Sequence, residues 1–195
     1  MSVSHQIYEI IKSTDFIKKL EKINSNYPNL KQENVIRNAI LEQFNDLYAN
    51  EHVRAFAEHP RVNKTRVDLS IVKNESKLDP YKIEFKYHYT NHDKCFADYG
   101  KRIRKEFNAR GSDMFILIVQ TFDLEKKIGF DNFWDISTNI SKYQSKEEDW
   151  KTNLTSCFND FLNISTTSEL LETVRIDVNI PYSSSYYFYI LKEKD

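Results

Sequence analysis

Three ionisable residues, Asp68, Glu84 and Lys86, have a spacing that would let two neighbouring strands bring them together. Strand side chains alternate between two faces. In YKIEFKYHY (residues 81–89), Glu84 and Lys86 share one face with His88, and the apolar side chains share the other. In TRVDLSIV (residues 65–72), Asp68 alternates with apolar residues in the same way. If the two segments pair with their apolar faces toward the same helices, two carboxylates and an ammonium group emerge together on the opposite face.

This combination of residue types is suited to metal-assisted hydrolysis of a phosphodiester. Mg²⁺ commonly takes one or two protein carboxylates and completes its octahedron with water and substrate phosphate. The metal would lower the pKa of a bound water, and Lys86 would orient that water or help to neutralise the transition state. Such a site requires Asp68 and Glu84 to meet in an open cleft. The alternative interpretation is a salt-bridged pair of half-exposed strands without catalytic activity.

The elements that must position these residues follow from hydrophobic periodicity. Helical spacing predicts helices, and alternating or continuous apolar runs predict strands. The predicted helices cover about residues 4–24, 31–48, 93–108, 145–162 and 167–174. The predicted strands cover about residues 52–60, 65–72, 81–89, 114–122 and 183–193. The sequence therefore predicts one α/β domain over residues 1–195, with a mixed central sheet flanked by helices.

Composition excludes several classes of protein. A chain of 195 residues is long enough for one well-buried domain and too short for two. With 3 glycines and no GxGxxG or GxxxxGK[ST] pattern, it is not expected to have a Rossmann or P-loop nucleotide site. The absence of a long apolar segment predicts a cytoplasmic protein that does not associate with a membrane. A formal net charge of −1 means that any nucleic-acid binding must use a local basic patch.

The order of these motifs resembles the core of the PD-(D/E)XK nuclease superfamily, the restriction-endonuclease-like proteins. The resemblance rests on Asp68 and the Glu84-x-Lys86 motif, and it covers about residues 31–122. It implies that Asp68 and Glu84 are metal ligands, that Phe85 offers its backbone carbonyl to the metal, and that Lys86 is the catalytic lysine. The implied cofactor is Mg²⁺, with Mn²⁺ able to substitute. In place of the family's proline before the first acid, Val67 precedes Asp68.

Many members of this superfamily also carry a glutamate on the helix before the first strand. Glu33 and Glu42 are the two candidates here. Glu33 falls at the border of the predicted apolar stripe and Glu42 points away from it, so Glu33 is preferred as the additional catalytic residue.

Nucleic-acid contacts are expected from basic side chains. The densest cluster, Lys101, Arg102, Arg104, Lys105 and Arg110, falls on the helix after Lys86, and Arg61, Lys64 and Arg66 lead into the Asp68 segment. A solvated helix face or an ordinary hairpin would also account for these residues. His88, His92 and Tyr99 are weaker candidates for the site. The aromatic run YSSSYYFYI (residues 182–190) is expected to be core rather than a base-stacking surface.

The resemblance predicts a Mg²⁺-dependent nuclease that acts on DNA in preference to RNA. The chain length suits a type II restriction endonuclease, and such enzymes commonly act as homodimers. The alternative is a catalytically silent nuclease-like module that binds nucleic acid or a protein partner in a defence or mobile-element system. A structural α/β protein without an active site is the third reading.

Overall fold

The computed structural model describes residues 1–62, 65–90, 99–136, 150–165 and 168–193. Within these ranges the chain forms a seven-stranded mixed sheet with helices on both faces, which confirms the predicted α/β class. In the part of the chain so described, no helix is both long and apolar enough to cross a membrane.

The first predicted helix is in fact two helices, α1 (Val3–Lys12) and α2 (Thr14–Asn26). The break falls at Ser13, whose backbone is extended and whose side chain accepts a hydrogen bond from the N–H of Phe16. A serine hydroxyl that caps a helix offers the backbone an alternative to continuing the previous one. The third helix, α3 (Glu33–Tyr48), begins two residues later than predicted.

Four strands form the part of the sheet that carries Glu84 and Lys86, and one helix lies in the connection between two of them. Their bounds are β1 (Val53–Ala57), β4 (Leu69–Lys73), β5 (Tyr81–Tyr89), α4 (Tyr99–Arg110) and β6 (Met114–Phe122). The strands β1, β4 and β5 are antiparallel neighbours, and β5 and β6 are parallel. A parallel pair needs a crossover connection, and α4 lies within it. The predicted start of this helix, residues 93–98, lies outside the described residues.

A separate pair of two-residue strands interrupts the chain between β1 and β4. These strands, β2 (Arg61–Val62) and β3 (Thr65–Arg66), pair with each other and not with the main sheet. We call residues 58–68 the arm. Residues 63 and 64, between its two strands, lie outside the described residues.

The last strand, β9 (Ser184–Glu193), pairs with β6 along one edge. Its other edge is covered by two short strands, β7 (Ser168–Leu170) and β8 (Val174–Val178). The helix predicted over residues 167–174 is therefore wrong. Pairing with the open edge of β9 outweighs the local helical preference of this segment, since an uncovered edge strand is a liability.

The helices form a layer on each face of the sheet. The first layer contains α1, α2 and α3, and it buries one face of β5, including Ile83, Phe85 and Tyr87. The second layer contains α4 and α6 (Trp150–Ile164), which pack against alternate residues of β6 and β9. Another helix, α5 (Leu124–Phe133), follows β6 and contributes Phe130 to the first layer.

The aromatic run in the last strand belongs to these two cores. Tyr186 and Phe188 are fully buried in the first, and Tyr187 and Tyr189 pack in the second. The structure confirms the expectation of core packing, because these rings are not available to stack on bases. Cys157 is also buried, and its Sγ accepts a hydrogen bond from the N–H of Gly100 at 2.7 Å, whereas Cys95 lies outside the described residues.

A buried polar network joins the first helical layer to the centre of the sheet. The hydroxyl of Tyr186 donates to Oε1 of Gln32 at 2.7 Å and accepts from Nε2 of Gln120 at 2.8 Å. Nδ2 of Asn24 donates to a backbone carbonyl at 2.8 Å, and the hydroxyl of Tyr87 donates to Oε1 of Gln120. Satisfied partners make this burial tolerable, since an unpaired buried polar group costs about 1–3 kcal/mol.

We expect the fold to lose stability at alkaline pH. Burial raises the pKa of Tyr87 and Tyr186 well above the usual value near 10 and raises the pKa of Tyr189 to about 12. The unfolded chain therefore loses these protons first as the pH rises past 10. The free energy of unfolding should fall by about 1.4 kcal/mol per pH unit for each buried tyrosine. Urea unfolding at about pH 8 and about pH 11 measures this loss, and Tyr87→Phe should make it shallower. Equal stability at the two pH values would contradict the assignment.

Candidate functional site

The candidate site forms where β4 begins beside the middle of β5. Leu69 pairs with Ile83 in the antiparallel register, so one further step along each strand brings Asp68 beside Glu84. Oδ2 of Asp68 accepts a hydrogen bond from the backbone N–H of Phe85 at 2.8 Å. The structure thus places the predicted aspartate directly against the Glu84-Phe85-Lys86 motif.

Asp68 lies in a bend, and the single strand predicted over residues 65–72 is wrong in this respect. The strand is interrupted between Arg66 and Leu69. Two backbone hydrogen bonds hold the interruption: the N–H of Glu58 donates to the carbonyl of Asp68 at 3.1 Å, and the N–H of Val67 donates to the carbonyl of Pro60 at 3.0 Å. The bend frees the Asp68 side chain to turn toward β5.

The two faces of β5 follow the predicted alternation. Phe85 lies in the first core, whereas Glu84 is in register with Phe115 of β6, a residue of the second core. Glu84 and Lys86 therefore lie on the face covered by α4 and α6. Their exposure departs from the expected open cleft: Asp68 and Lys86 are half-buried, but Glu84 is 0% exposed. A carboxylate in that position requires a compensating charge, hydrogen bonds or a proton.

The backbone N–H and carbonyl of Phe85 face the side of β5 on which Asp68 lies. In an antiparallel pair, a strand residue that donates its N–H to one neighbour directs its carbonyl to the same side. Because the N–H of Phe85 meets the Asp68 carboxylate, its carbonyl points toward the edge where β4 begins. This orientation agrees with the role that the sequence resemblance implies for the Phe85 carbonyl.

His88 and Tyr99 meet on the same face as Glu84. Nε2 of His88 and the hydroxyl of Tyr99 are 2.9 Å apart, and Tyr99 is buried at the first residue of α4. The contact ties the crossover helix to β5. The remaining candidate of this kind, His92, lies outside the described residues.

The structure separates the two candidate helical glutamates. Oε2 of Glu42 is 2.7 Å from Nζ of Lys19, in a solvent-exposed pair on the helical layer. Glu33 occupies the first turn of α3, is mostly buried, and has Oε2 3.6 Å from Nζ of Lys31. Arg37 follows Glu33 by one helical turn and is linked through Glu58 to the Asp68 bend, so Glu33 lies on the side of α3 that contacts the residue holding this bend.

Most of the predicted basic contacts are accessible. Lys101 and Lys105 are exposed on α4, and Arg104 is half-buried with Nε donating to the carbonyl of Gly100 at 3.4 Å. Arg66 is exposed, with Nη1 3.6 Å from Oε2 of Glu58. The side chains of Arg102 and Arg110 lie outside those that the structure describes, as does Lys64. The described cations of α4 belong to the helical layer that covers the Glu84 face.

Sequence reasoning missed the pair formed by Arg37 and Glu58. Nη1 of Arg37, a side chain 7% exposed, is 2.5 Å from Oε1 of Glu58, which has a left-handed backbone with φ of 57°. A left-handed glutamate is strained and persists where its surroundings hold it. The two residues lie 21 positions apart, and their spacing carries no local pattern that could have revealed them.

The donor set suits a hard cation that takes few protein ligands. Two carboxylates and a backbone carbonyl are oxygen donors of the kind that Mg²⁺ accepts. Across the described ranges, the structure contains no group of three or more histidine, cysteine, aspartate or glutamate residues that could hold a metal ion. Water and a substrate phosphate would have to supply the remaining ligands.

No protein-family model matches the chain, and a search of curated proteins found no match.

The hydrogen bond from Phe85 to Asp68 should be measurable in the stability of the fold. Asp68→Ala leaves a buried N–H unpaired and should lower the free energy of unfolding by about 1–3 kcal/mol. Asp68→Asn keeps an acceptor oxygen and should cost less. Urea denaturation compares the two variants with Asp160→Ala, an exposed position on α6 that should change stability by less than about 0.5 kcal/mol. Equal losses for Asp68→Ala and Asp68→Asn would argue against this hydrogen bond.

Proposed function

We propose that this protein is a Mg²⁺-dependent nuclease that hydrolyses phosphodiester bonds, acts on DNA in preference to RNA, and works in the cytoplasm. The observation that carries the proposal is the position of Asp68, one residue before the Leu69–Ile83 pair and hydrogen-bonded to the N–H of Phe85. Asp68 and Lys86 are 18 residues apart in sequence, and Glu84 lies between them. In the proposed site these three side chains would act together, at the place where β4 begins beside β5.

The order of the elements supports this proposal. A helix, α3, precedes three antiparallel strands, and a crossover containing α4 leads to the parallel strand β6. This is the order that the resemblance to the PD-(D/E)XK superfamily leads one to expect. Fold alone does not fix function, so the weight of the proposal rests on the residues of the candidate site.

Each residue of the site has a separate role in the proposed reaction. Asp68, Glu84 and the carbonyl of Phe85 would hold Mg²⁺, which supplies a Lewis acid that polarises the phosphate and activates a bound water. Lys86 would orient the attacking water or stabilise the negative charge that develops on the phosphate. Lys101, Arg104 and Lys105 would hold flanking phosphates without reading sequence. A type II restriction endonuclease acting as a homodimer is the specific form that we favour.

One observation favours a second candidate, a catalytically silent nuclease-like module. Glu84 is fully buried, whereas an active carboxylate must exchange water and substrate at its metal. If the second helical layer covers Glu84 permanently, the same surface would bind nucleic acid or a protein partner without cutting. The two candidates predict different outcomes in a cleavage assay.

We expect the purified protein to cleave plasmid DNA in the presence of Mg²⁺ or Mn²⁺ and to stop when EDTA is added. Asp68→Asn and Lys86→Met should each lower the cleavage rate by at least about 100-fold, since each removes a group that acts on the reacting phosphate. The matched controls are Asp160→Asn on α6 and Lys73→Met at the far end of β4, both of which are exposed. The controls should retain the wild-type rate.

Two results would contradict the nuclease proposal in different ways. Cleavage that persists in Asp68→Asn would show that the catalytic site lies elsewhere. Failure of the wild type to cleave a broad panel of DNA and RNA, together with retained binding, would favour the silent module.

The helical glutamates provide a further comparison. We expect Glu33→Gln to lower the cleavage rate by about 10-fold or more, because Glu33 lies on the side of α3 that is tied to the Asp68 bend. Glu42→Gln should cleave like the wild type, because Glu42 lies in an exposed pair with Lys19. The plasmid assay measures both. Equal rates for the two variants would remove Glu33 from the site.

A further inference from the structure

The arm, residues 58–68, is built onto the candidate site. Its base is closed by the two backbone hydrogen bonds from Glu58 to Asp68 and from Val67 to Pro60. Arg66, the last residue of β3, is separated from Asp68 by Val67 alone. Two extended residues span at most about 7 Å, so the backbone of Arg66 lies close to the backbone of Asp68.

The arm places two arginines directly opposite each other. Arg61 of β2 and Arg66 of β3 are partners in the antiparallel register, and both are exposed. Partners in an antiparallel pair project from the same face, and like charges at such positions are destabilising. The stability of the arm therefore gives no reason for this pair.

In the described part of the arm, the carboxylate that forms an ion pair with Arg66 is that of Glu58, and it is already shared. Glu58 places Oε1 2.5 Å from Arg37 and Oε2 3.6 Å from Arg66. One negative charge thus serves a buried guanidinium and an exposed one. A surplus of positive charge is left on the accessible side, and it is suited to an anion from outside the molecule.

An exposed aromatic pair at the base of the arm indicates which class of anion would bind there. Phe56 is 41% exposed, and its ring lies 6.0 Å from the ring of His59 in an edge-to-face arrangement. Phe56 is paired with Ser70 and projects from the sheet face opposite to that of the buried Ala55. An exposed ring on the strand that leads into the arm, together with two exposed arginines in the arm, suits a polymer that offers flat bases or sugars as well as phosphates.

We propose that the arm grips the backbone of a nucleic-acid strand, with Arg61 and Arg66 on neighbouring phosphates and Phe56 against a base or sugar. The inference deepens the proposed function and rests on it, because it states how the strand to be cut is held beside Asp68. The contacts to phosphate make binding dependent on salt and independent of sequence.

The test measures binding without cleavage, by fluorescence anisotropy of a labelled DNA duplex of mixed sequence in EDTA over a range of KCl concentrations. Arg61→Gln/Arg66→Gln should weaken binding by at least about 10-fold and lower the slope of log K against log salt by about 2, since each phosphate contact contributes about 0.9. The control, Lys18→Gln/Lys22→Gln on the exposed side of α2, removes the same charge and should bind like the wild type. Arg61→Lys/Arg66→Lys keeps the charge and should retain most of the slope.

The outcomes separate this inference from the nuclease proposal. Equal binding by the arm variant and the control overturns the arm's role even if plasmid cleavage is observed. Weakened binding by the arm variant supports the arm even if the wild type cleaves nothing. No binding of DNA or RNA, single-stranded or duplex, by the wild type overturns the arm's role, and it overturns the nuclease proposal as well if the wild type also cleaves nothing in Mg²⁺. If Arg61→Gln/Arg66→Gln shows no cooperative thermal transition, the single variants Arg61→Gln and Arg66→Gln decide: a salt slope lower by about 1 in each supports phosphate contacts, and an unchanged slope in both refutes them.

Discussion

At the start of β4, the Asp68 carboxylate supplies the hydrogen-bond acceptor that the backbone of a neighbouring strand would otherwise offer to β5. Beyond Ile83, the backbone of β5 would face a gap, and the side chain of Asp68 accepts the N–H of Phe85 there. Buried backbone groups need such partners, so the same carboxylate that could bind a cation also holds the sheet together. A substitution that removes it changes fold and chemistry at once, and the asparagine replacement is valuable because it separates the two.

The sheet holds the start of α3 through interactions far from Asp68. The hydroxyl of Tyr186 donates to Gln32, the residue before α3, and the hydroxyl of Tyr89 donates to the carbonyl of Leu30 at 3.0 Å. One turn into the helix, Arg37 contacts Glu58 of the arm. The helix that carries Glu33 is therefore fixed at its start by the sheet and one turn later by the arm. Buried hydrogen-bonded networks of this kind specify one arrangement among many that are similarly apolar.

Sequence patterns predicted the elements whose signals are local. The alternation of β5 and the continuous apolar run of β6 identified both strands, and the face division of Glu84 from Phe85 followed from a period of two. The break at Ser13 was missed because a cap competes with a pattern that would otherwise continue. The local pattern of residues 167–174 predicts a helix. Their pairing partner, β9, lies later in the chain, so the local pattern contains no sign of the strand pairing. The burial of Glu84 depends on how the second helical layer packs, and no spacing within β5 encodes it.

The two ends of the sheet limit how this protein can associate with itself. One outer strand, β1, has five residues and an exposed Arg54, and the opposite edge is divided between β7 and β8. Short, charged or interrupted edges present few consecutive free backbone groups to another chain. Growth by adding strand to strand, the route to fibrils and to continuous intermolecular sheets, is therefore disfavoured at both ends.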